Sequence, residues 1–494
     1  MGLFDKFKKG KKEPAKDELN VLENSLMNDI DDGIVGEIIH GGPSEPEEPA
    51  DDTLTGSFVM GILSVMPVEG TDNIVVTGNV KGNVKAGMTV SHLNFGDDNR
   101  EAGSITIQGI NRDGETAASA TDCAVSMILE DGAVKSVRVG TVLYTRDMGE
   151  NAVHDAYVSA LGDAYVKDRV LDLSDDEIEK LSITDCSEIW RLNSWFISHA
   201  GKDEDAEVSG DRSKRLDKLI RALCDKIVNA DEIYYVHDKR TGEAHLFSQN
   251  MEAKDGAYIC TPPGILLVSK AYRRHYRKLY NNDKTELAIV RNGDDKKGIY
   301  NFLAGNFYIN GACGAAVNAV QVSIAAGLLA DAPDHSGIPI ENIPVTNPDL
   351  VRWMLLIGQM DAPDKEDEDA SLAFKLYYRF MGIEMLKAKF IIPMKHDNDG
   401  SELGSGIATM KGKGDKDAII MYTDWRRLRS EYGKEWDGMV HSIRGLIDKF
   451  DCAVNPTRFP AAGSYVTKEM YESMVKMARS ENSRIKVEEG EDDE

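Results

Sequence analysis

The chain has 494 residues, enough for about two to four domains that each bury a hydrophobic core. Its hydrophobic fraction of 41% and charged fraction of 29% are those of an ordinary soluble protein. Asp and Glu outnumber Lys and Arg by 84 to 58, for a formal charge of −26, which disfavours general nucleic-acid binding because the phosphates would be repelled.

The cysteines and the hydropathy narrow the class of protein further. The 6 cysteines are scattered without a CxxC pair, so the sequence indicates neither a zinc site nor a disulfide framework. No apolar run reaches the roughly 18 residues of a membrane-spanning helix, and no signal-peptide core is present. We therefore expect a cytoplasmic protein that needs no metal and no cofactor.

Both ends of the chain carry biased composition. Residues 1–16 read MGLFDKFKKGKKEPAK, a basic amphipathic tail that could touch an anionic membrane weakly, although a solvated tail is the simpler interpretation. Residues 17–53 are acidic and broken by Gly-Gly-Pro and Pro-Glu-Glu-Pro, which is typical of a disordered linker. Residues 480–494 end the chain as an acidic tail.

Residues 54–146 contain short β-rich runs separated by Gly, Asn and Asp, which predicts a small antiparallel β-barrel. The predicted strands are Gly56–Val65, Asn73–Val80, Thr89–Phe95, Glu101–Ile110, Cys123–Leu129 and Val142–Tyr144.

Two stretches of this region carry a family resemblance. The sequence NIVVTGNVKGNVKAGMTV (Asn73–Val90) and the sequence Ile105–Tyr144 resemble the second-domain barrel of elongation factor Tu and other translation GTPases. One departure is Thr121-Asp122, where the family usually has Gly-Asp. The resemblance implies a closed barrel and, in the relatives, contacts to RNA or to an aminoacyl end.

The GTPase domain that precedes this barrel in the family has no counterpart here. The chain contains no GxxxxGK[ST] phosphate loop, so we expect no nucleotide chemistry. Because this barrel carries more acids than bases, a spacer or docking surface is the favoured interpretation. A ribosome- or tRNA-associated factor acting through the barrel stays open as an alternative.

Residues 147–183 are charged and helix-prone, and Ser174 is followed by acids, as at a helix start. Two α/β segments then follow, residues 184–333 and 334–479, with the same order of elements. The predicted helices and strands that open them are Thr184–Phe196, Ser213–Asn229, Asp231–Asp238, Thr346–Met360, Ser371–Lys387 and Ala388–Asp397. We predict a multidomain chain with duplicated α/β domains and mixed sheets.

Further elements of the two α/β segments are predicted to correspond. Ser269 and Thr423 are predicted helix caps before the arginine pairs Arg273-Arg274 and Arg426-Arg427, which fit solvated helix faces or salt-bridge partners. The predicted matching turns and closing helices are Tyr308-Ile309-Asn310-Gly311 with Ala453-Val454-Asn455-Pro456, and Ala315–Leu329 with Thr467–Ala478.

The stretch from Phe390 to Tyr465, in the second α/β segment, resembles a known family. Its segments FIIPM, AIIMYTDWRRL and DCAVNPTRFPAAGSYVT resemble the N-terminal domain of the SseB family, named for enhanced serine sensitivity. The first α/β segment resembles this family less closely, with Asn310-Gly311 in place of Asn-Pro. The resemblance implies a compact bacterial α/β domain, with no settled reaction, cofactor or catalytic residue.

Histidines next to carboxylates are one set of candidate site residues. His237-Asp238 and His396-Asp397 lie at predicted strand ends, and a histidine there could serve as a base or a ligand. Adjacent strand residues point to opposite faces, however, so polar residues at the end of a strand are the favoured interpretation.

Asparagines and an arginine at predicted turns are the second set. Asn455 and Arg458 follow a predicted central strand, where α/β sheets tend to bind ligands, and Asn310 occupies the matching place in the first α/β segment. Arg458 could hold a carboxylate, while an ordinary Asn-Pro turn is the simpler interpretation.

We therefore expect a non-enzymatic binding or adaptor protein of the SseB type, with an unknown protein partner or small ligand and a regulatory role in amino-acid (serine) stress. No nucleic acid is expected as a partner. The alternative is an enzyme that acts on a small amino-acid-like molecule through His396, Asp397 and Arg458.

Overall fold

The computed structural model describes residues 57–96, 102–130, 137–167, 171, 173–199, 206–248, 250–252, 258–361, 368–395, 406–412 and 416–482. The predictions for residues 1–53 and for most of the acidic tail lie outside these residues. The chain divides into two compact units. Of the described residues, those up to 95 and those within 102–173 and 188–216 form the first unit, and residue 96 and those within 174–187 and 217–482 form the second.

The first unit contains a closed antiparallel barrel, as predicted. Its strands are β1 (Phe58–Pro67), β2 (Ile74–Lys85), β3 (Thr89–Asn94), β4 (Gly103–Arg112), β5 (Glu115–Ala117), β6 (Ser119–Thr121), β7 (Ala124–Leu129) and β8 (Thr141–Tyr144). The order β1-β8-β3-β4-β7-β2 closes through a β1–β2 pairing, while β5 and β6 extend β4 and β2. Closure leaves the barrel strands without a free edge.

Alternating side chains fill the barrel, since successive strand residues point to opposite faces. The buried core includes Met60, Ile74, Val76, Ile107 and Met127. The departure from the family sequence at Thr121-Asp122 has a local structural explanation. Asp122 adopts a φ of 46°, which aspartate tolerates, and its carboxylate accepts a 2.7 Å hydrogen bond from the backbone N–H of Gly82.

A helix, α1 (Glu150–Leu161), packs on β1 and continues through a wider π-helical turn, Gly162–Lys167. Gly61 permits this packing, because a Cβ at Gly61 would meet the Ala156 carbonyl oxygen and lie 2.7 Å from the Ala160 Cβ. The next helix, α2 (Asp175–Lys180), begins with a complete capping box, so the predicted cap at Ser174 is confirmed.

The remaining helices are α3 (Ile183–His199), α4 (Ala206–Asn229), α5 (Arg273–Tyr280), α6 (Gly298–Tyr308), α7 (Ala326–Leu329), α8 (Pro348–Gln359), α9 (Glu368–Lys387), α10 (Trp425–Glu431) and α11 (Lys468–Asn482). None of the described helices combines the length and the apolar character needed to cross a bilayer.

The first half of the second unit is a mixed sheet with helices α5 to α7. Its strands are β9 (Glu232–Asp238), β10 (Glu243–Ala244), β11 (Leu246–Phe247), β14 (Gly264–Val268), β15 (Thr285–Arg291), β16 (Gly314–Val317) and β17 (Ala319–Ala325). A separate hairpin joins β12 (Asn250–Glu252) to β13 (Tyr258–Cys260).

The second half of this unit has helices α8 to α11 and two sheets connected by a bridge between Ile391 and Tyr422. Its strands are β18 (Phe390–Lys395), β19 (Gly406–Ile407), β20 (Thr409–Lys411), β21 (Asp417–Met421), β22 (Trp436–His441), β23 (Asp451–Val454) and β24 (Ser464–Val466).

The same succession of strand pairings occurs in each half. In the first half, β14 lies parallel to β16, β16 is antiparallel to β17, and β9 is antiparallel to both β14 and β15. In the second half, β21 lies parallel to β23, β23 is antiparallel to β24, and β18 is antiparallel to β22 and bridged to Tyr422 after β21.

One predicted correspondence is wrong. Asn318 and Asn455 each follow the second strand of a parallel pair, with φ of 59° and 50°. Each side-chain oxygen accepts a hydrogen bond from a backbone N–H within two residues of the first strand's end, from Ser269 at 2.8 Å and from Thr423 at 3.0 Å. Asn318 therefore holds the place of Asn455, whereas Asn310 follows helix α6.

The predicted helix Ala315–Leu329 is also wrong, because this stretch forms β16, the Asn318 turn and β17 before the short α7. Alanine and valine there satisfy their backbone groups in a buried parallel pairing with β14. The predicted cap Thr423 is replaced by its neighbour Asp424, whose carboxylate accepts a hydrogen bond from the Arg427 N–H. Ser269 precedes a 3-10 turn without a side-chain cap bond.

We predict that Gly61→Ala lowers the free energy of unfolding by about 1–3 kcal/mol, because the methyl group must displace helix α1. Urea denaturation of the full chain measures this. Gly109→Ala is the matched control within the barrel, since its Cβ would lie 3.6 Å from the nearest atom, Ile128 Cδ1, an ordinary contact. Equal effects of the two substitutions would contradict the packing described for Gly61.

Candidate functional site

A polar network joins the strand ends of the two halves of the second unit, and we call it the arginine network. Its position follows from local structure: the buried residues Thr423 and Asp424 lie between β21 and helix α10, which then projects two arginines toward β10 and the end of α6. The network comprises Glu243, Asn310, Thr423, Asp424, Arg426, Arg427 and Asn455.

Arg427 is its centre, with a side chain that is only 6% exposed. Its guanidinium donates to Asp424 at 2.5 Å, to the Asn310 side-chain oxygen at 2.9 Å and to Glu243 at 3.1 Å. A buried cation of this kind is stable only when its partners are present, since removing one leaves an uncompensated charge. The guanidinium therefore links both halves.

Arg426 approaches the same partners from the solvent side, and its side chain is 43% exposed. It donates to Glu243 at 2.6 Å and to the Asn310 oxygen at 2.7 Å. The Asn310 amide nitrogen in turn donates to Glu243 at 2.9 Å and to Asn306 at 3.2 Å. The amide oxygen of Asn310 thus faces the two arginines.

Asn455 enters the network through Thr423. Its amide nitrogen donates to the Thr423 hydroxyl at 3.0 Å, and that hydroxyl lies 2.8 Å from the Asp424 carboxylate. Burial acts to raise the pKa of Asp424, but the charge of Arg427 and its hydrogen bonds outweigh burial, so the pKa lies below its usual value. Asn310 and Asn455 therefore belong to one hydrogen-bonded chain.

A second joint lies around Asp238, which is fully buried at the end of β9. Its carboxylate accepts hydrogen bonds from the backbone N–H groups of Arg240 and Thr241, both at 3.0 Å, and lies 3.3 Å from His245 Nδ1. Burial acts to raise the pKa of Asp238, but the hydrogen bonds from His245, Arg240 and Thr241 outweigh it and hold the pKa far below its usual value.

This joint reaches across to helix α8 of the second half. The guanidinium of Arg240 donates to the Gln359 carbonyl oxygen and lies 3.3 Å from Asp361. The Gln359 side chain accepts from the Leu246 N–H at 3.0 Å and donates to the Ala244 carbonyl at 3.2 Å. The end of α8 is thereby fixed on the edge formed by β10 and β11.

Arg458 lies outside the arginine network. Its side chain is exposed, and its guanidinium stands 4.9 Å from the ring centroid of Phe459. That ring packs against Gly242 of the first half, where φ is 71° and a Cβ would collide with it. Arg458 therefore borders the contact between the halves.

The predicted histidines are also apart from the network. His237 lies in β9 opposite Ala244, with its ring 6.2 Å from that of Tyr235. His396 and Asp397 lie outside the described residues. In the second half Met394 pairs with Ile407 as His237 pairs with Ala244, so the pairings place Met394, not His396, at the position of His237.

Sequence reasoning missed two central residues, Glu243 and Asp424. The salt-bridge interpretation of Arg426-Arg427 holds for this arginine pair. Asp424 could have been found as an acid in the short stretch between a buried strand and an arginine pair. For Glu243 we find no signal, since 184 positions separate it from Arg427.

A groove of about 510 Å³ runs along helix α6 beside Arg426, and we call it the α6 groove. A Cβ on Gly305, within the groove, would lie 4.0 Å from the Arg426 guanidinium. The groove is lined by Tyr300, Asn301, Ala304, Gly305, Tyr308, Ile309, Asp331, Ala332, Pro333 and Asp334. The groove thus lies next to the arginine network.

The described part of the chain contains no group of three or more His, Cys, Asp or Glu side chains placed to hold a metal ion. The polar groups of the arginine network are satisfied by one another, so its geometry fits a structural joint.

Comparison with known proteins gives no family for the chain. No family model matches it, and no curated protein matches it. Among solved structures, translation elongation factor SelB from Methanococcus maripaludis in its apo form is 24% identical over 19% of this chain and 20% of that chain, with a TM-score of 0.17.

A second SelB structure from the same organism, in complex with the GTP analogue GPPNHP, is 19% identical over 26% of this chain and 24% of that chain, also with a TM-score of 0.17. This chain thus spans about a fifth to a quarter of the SelB chains it matches. Similarity at this level assigns no activity to this chain.

We predict that Arg427→Met lowers the free energy of unfolding by about 3–5 kcal/mol, because Asp424 and Glu243 lose a buried counter-charge. Arg426→Met is the matched control, and we expect it to cost about 1 kcal/mol or less because that side chain is half-exposed. Urea denaturation measures both. A cost for Arg427→Met no larger than that of Arg426→Met would contradict the role given to the buried guanidinium.

We predict that the stability gap between the native chain and Asp238→Asn narrows by roughly 1 kcal/mol as the pH falls from 7 to 3. The unfolded carboxyl binds a proton below about pH 4, whereas the folded carboxyl with its lowered pKa stays ionised, so its contribution fades in acid. Urea denaturation at both pH values tests this, with the exposed Asp294→Asn as control. A gap that does not change with pH would refute it.

Proposed function

We propose that this chain is a non-enzymatic binding or adaptor protein whose α6 groove receives a partner. In this proposal the second unit consists of two copies of one SseB-like α/β architecture, placed behind a barrel of the translation-factor type that serves as a spacer or docking surface.

The shared succession of strand pairings supports the duplication. Asn318 and Asn455 add to it, because both adopt positive φ and both accept a hydrogen bond from a backbone N–H within two residues of the end of the parallel strand. Two different sequences that keep so particular a turn are best explained as copies of one fold.

The two joints support a binding role over catalysis. Asp238 and Asp424 have lowered pKa values, which makes them weak bases near neutral pH, where a general base works best with a pKa close to the working pH. Their hydrogen bonds instead hold the halves in one arrangement, which suits a surface that must keep its shape.

The α6 groove is the observation that carries the proposal. Its volume of about 510 Å³ is in the range of ligand sites, and much of its lining stands on one helix. That helix is fixed at its end by the hydrogen bonds of Asn306 and Asn310 to the arginine network. The groove is therefore a preorganised surface.

The resemblance to the SseB family points to a cellular process in which the chain acts. We propose a bacterial, cytoplasmic protein with a regulatory role in amino-acid stress, in which tolerance of serine is the first phenotype to examine.

Site-specific crosslinking tests the binding role. We predict that a photoreactive benzoylphenylalanine at Asn301, an exposed position in the groove, captures a partner in the cells that make this protein, and that Tyr300→Ala reduces the capture. The same photoreactive residue at the exposed Glu435 is the control. Identical adducts from both positions, or none from position 301, would contradict a partner in the groove.

A further inference from the structure

The chemistry of the α6 groove narrows the class of partner, and this step rests on the binding function proposed above. Its lining combines two tyrosines, Tyr300 and Tyr308, with two carboxylates, Asp331 and Asp334. Both carboxylates are exposed at the rim. Aromatic faces and carboxylates together attract positive charge.

The shape of the groove suits a long aliphatic side chain. Tyr300 and Tyr308 are separated by eight positions on one helix, which corresponds to roughly 12 Å along its axis. Ala304 and Gly305 lie between them, and because both residues are small they leave space above the surface of the helix. Lysine and arginine have long apolar stems that can lie on such a surface while the charged end reaches a polar rim.

The rim carries negative charge in a defined arrangement. Hydrogen bonds to the Asp334 carboxylate from the Ser336 side chain and from the Ser336 backbone N–H, the latter at 2.8 Å, keep the pKa of Asp334 below its usual value. The Tyr308 hydroxyl donates to the Ala330 carbonyl at 2.7 Å, and burial, followed by the proximity of Tyr300 and Asp331, raises its pKa. Tyr308 therefore stays neutral beside an ionised rim.

The cations near the groove do not cancel this charge. Arg426 is the guanidinium beside Gly305, and it is bound to Glu243 and Asn310. An anionic ligand would have to compete for it with Glu243 and would meet both rim aspartates. The charge of the groove thus favours a cation over a phosphate or carboxylate.

A polypeptide is a better occupant than a free cation. One exposed ion pair and one exposed cation–π contact are each weak, so a lone ammonium ion would bind poorly. The segment that forms the rim continues to Ile338 and Ile340, which are 41% and 85% exposed. A chain that places a basic residue in the groove could cover these apolar side chains as well.

We propose that the α6 groove binds a lysine or arginine side chain of a partner polypeptide, with Tyr300 and Tyr308 along the stem and Asp331 and Asp334 at the charged end. The partner is identified by this chemistry: a basic residue flanked by apolar residues.

A matched pair of charge variants tests the proposal. The probe is a short fluorescent peptide of alternating leucine and lysine, and its binding to the full chain is followed by anisotropy. We expect Asp331→Asn with Asp334→Asn to weaken the affinity roughly fivefold to tenfold. The control, Asp283→Asn with Asp294→Asn, removes the same charge at exposed positions elsewhere and should change the affinity less than about twofold. Acetylation of the lysines should abolish binding.

Two outcomes would overturn the proposal: equal weakening by both double variants, which indicates general attraction to an acidic protein, or no binding of the lysine peptide. The crosslinking experiment at Asn301 separates this from the broader binding role. A partner captured there with equal yield when Asp331 and Asp334 are replaced by Asn would keep the groove as a binding site and refute its preference for a cation. Thermal melting of each variant checks that the fold is intact.

Discussion

A single buried cation connects the two halves of the second unit. The Arg427 guanidinium lies between Asp424 of its own helix and Glu243 and Asn310 of the other half. A charge buried to this degree requires its partners, so the two halves are bound to one relative arrangement. Helix α6 ends at this network, and the groove along α6 therefore depends on it for its shape.

The Asp238 joint also connects the two halves, at the carboxyl end of β9, where Asp238 pairs with Glu243. Arg240 and Gln359 attach helix α8 to the edge formed by β10 and β11, and the Phe459 ring covers Gly242. The carboxylates at the two joints, Asp238 and Asp424, have lowered pKa values and are held by hydrogen bonds, so we interpret them as groups that fix the halves in place. Function then falls to the surface that these joints support, which is the basis for proposing a binding protein.

Much of the architecture could be predicted from sequence, because alternation, turn residues and helix caps are local signals. The barrel strands and the Ser174 cap are examples. Alanine and valine from Ala315 onward fit a helix and a buried strand equally well, and only the parallel pairing with β14 decides between them. Asn310-Gly311 imitates a strand turn although it ends a helix, which misdirected the alignment with Asn455. Glu243 joins Arg427 over 184 positions, and no local pattern encodes such a contact.

The most direct test of this account is a double-mutant cycle between Arg427→Met and Glu243→Gln, measured by urea denaturation of the full chain. If the buried guanidinium unites the halves, the two substitutions are coupled, with an interaction free energy of roughly 1–3 kcal/mol. Strict additivity of the two costs, within about 0.5 kcal/mol, would contradict the account.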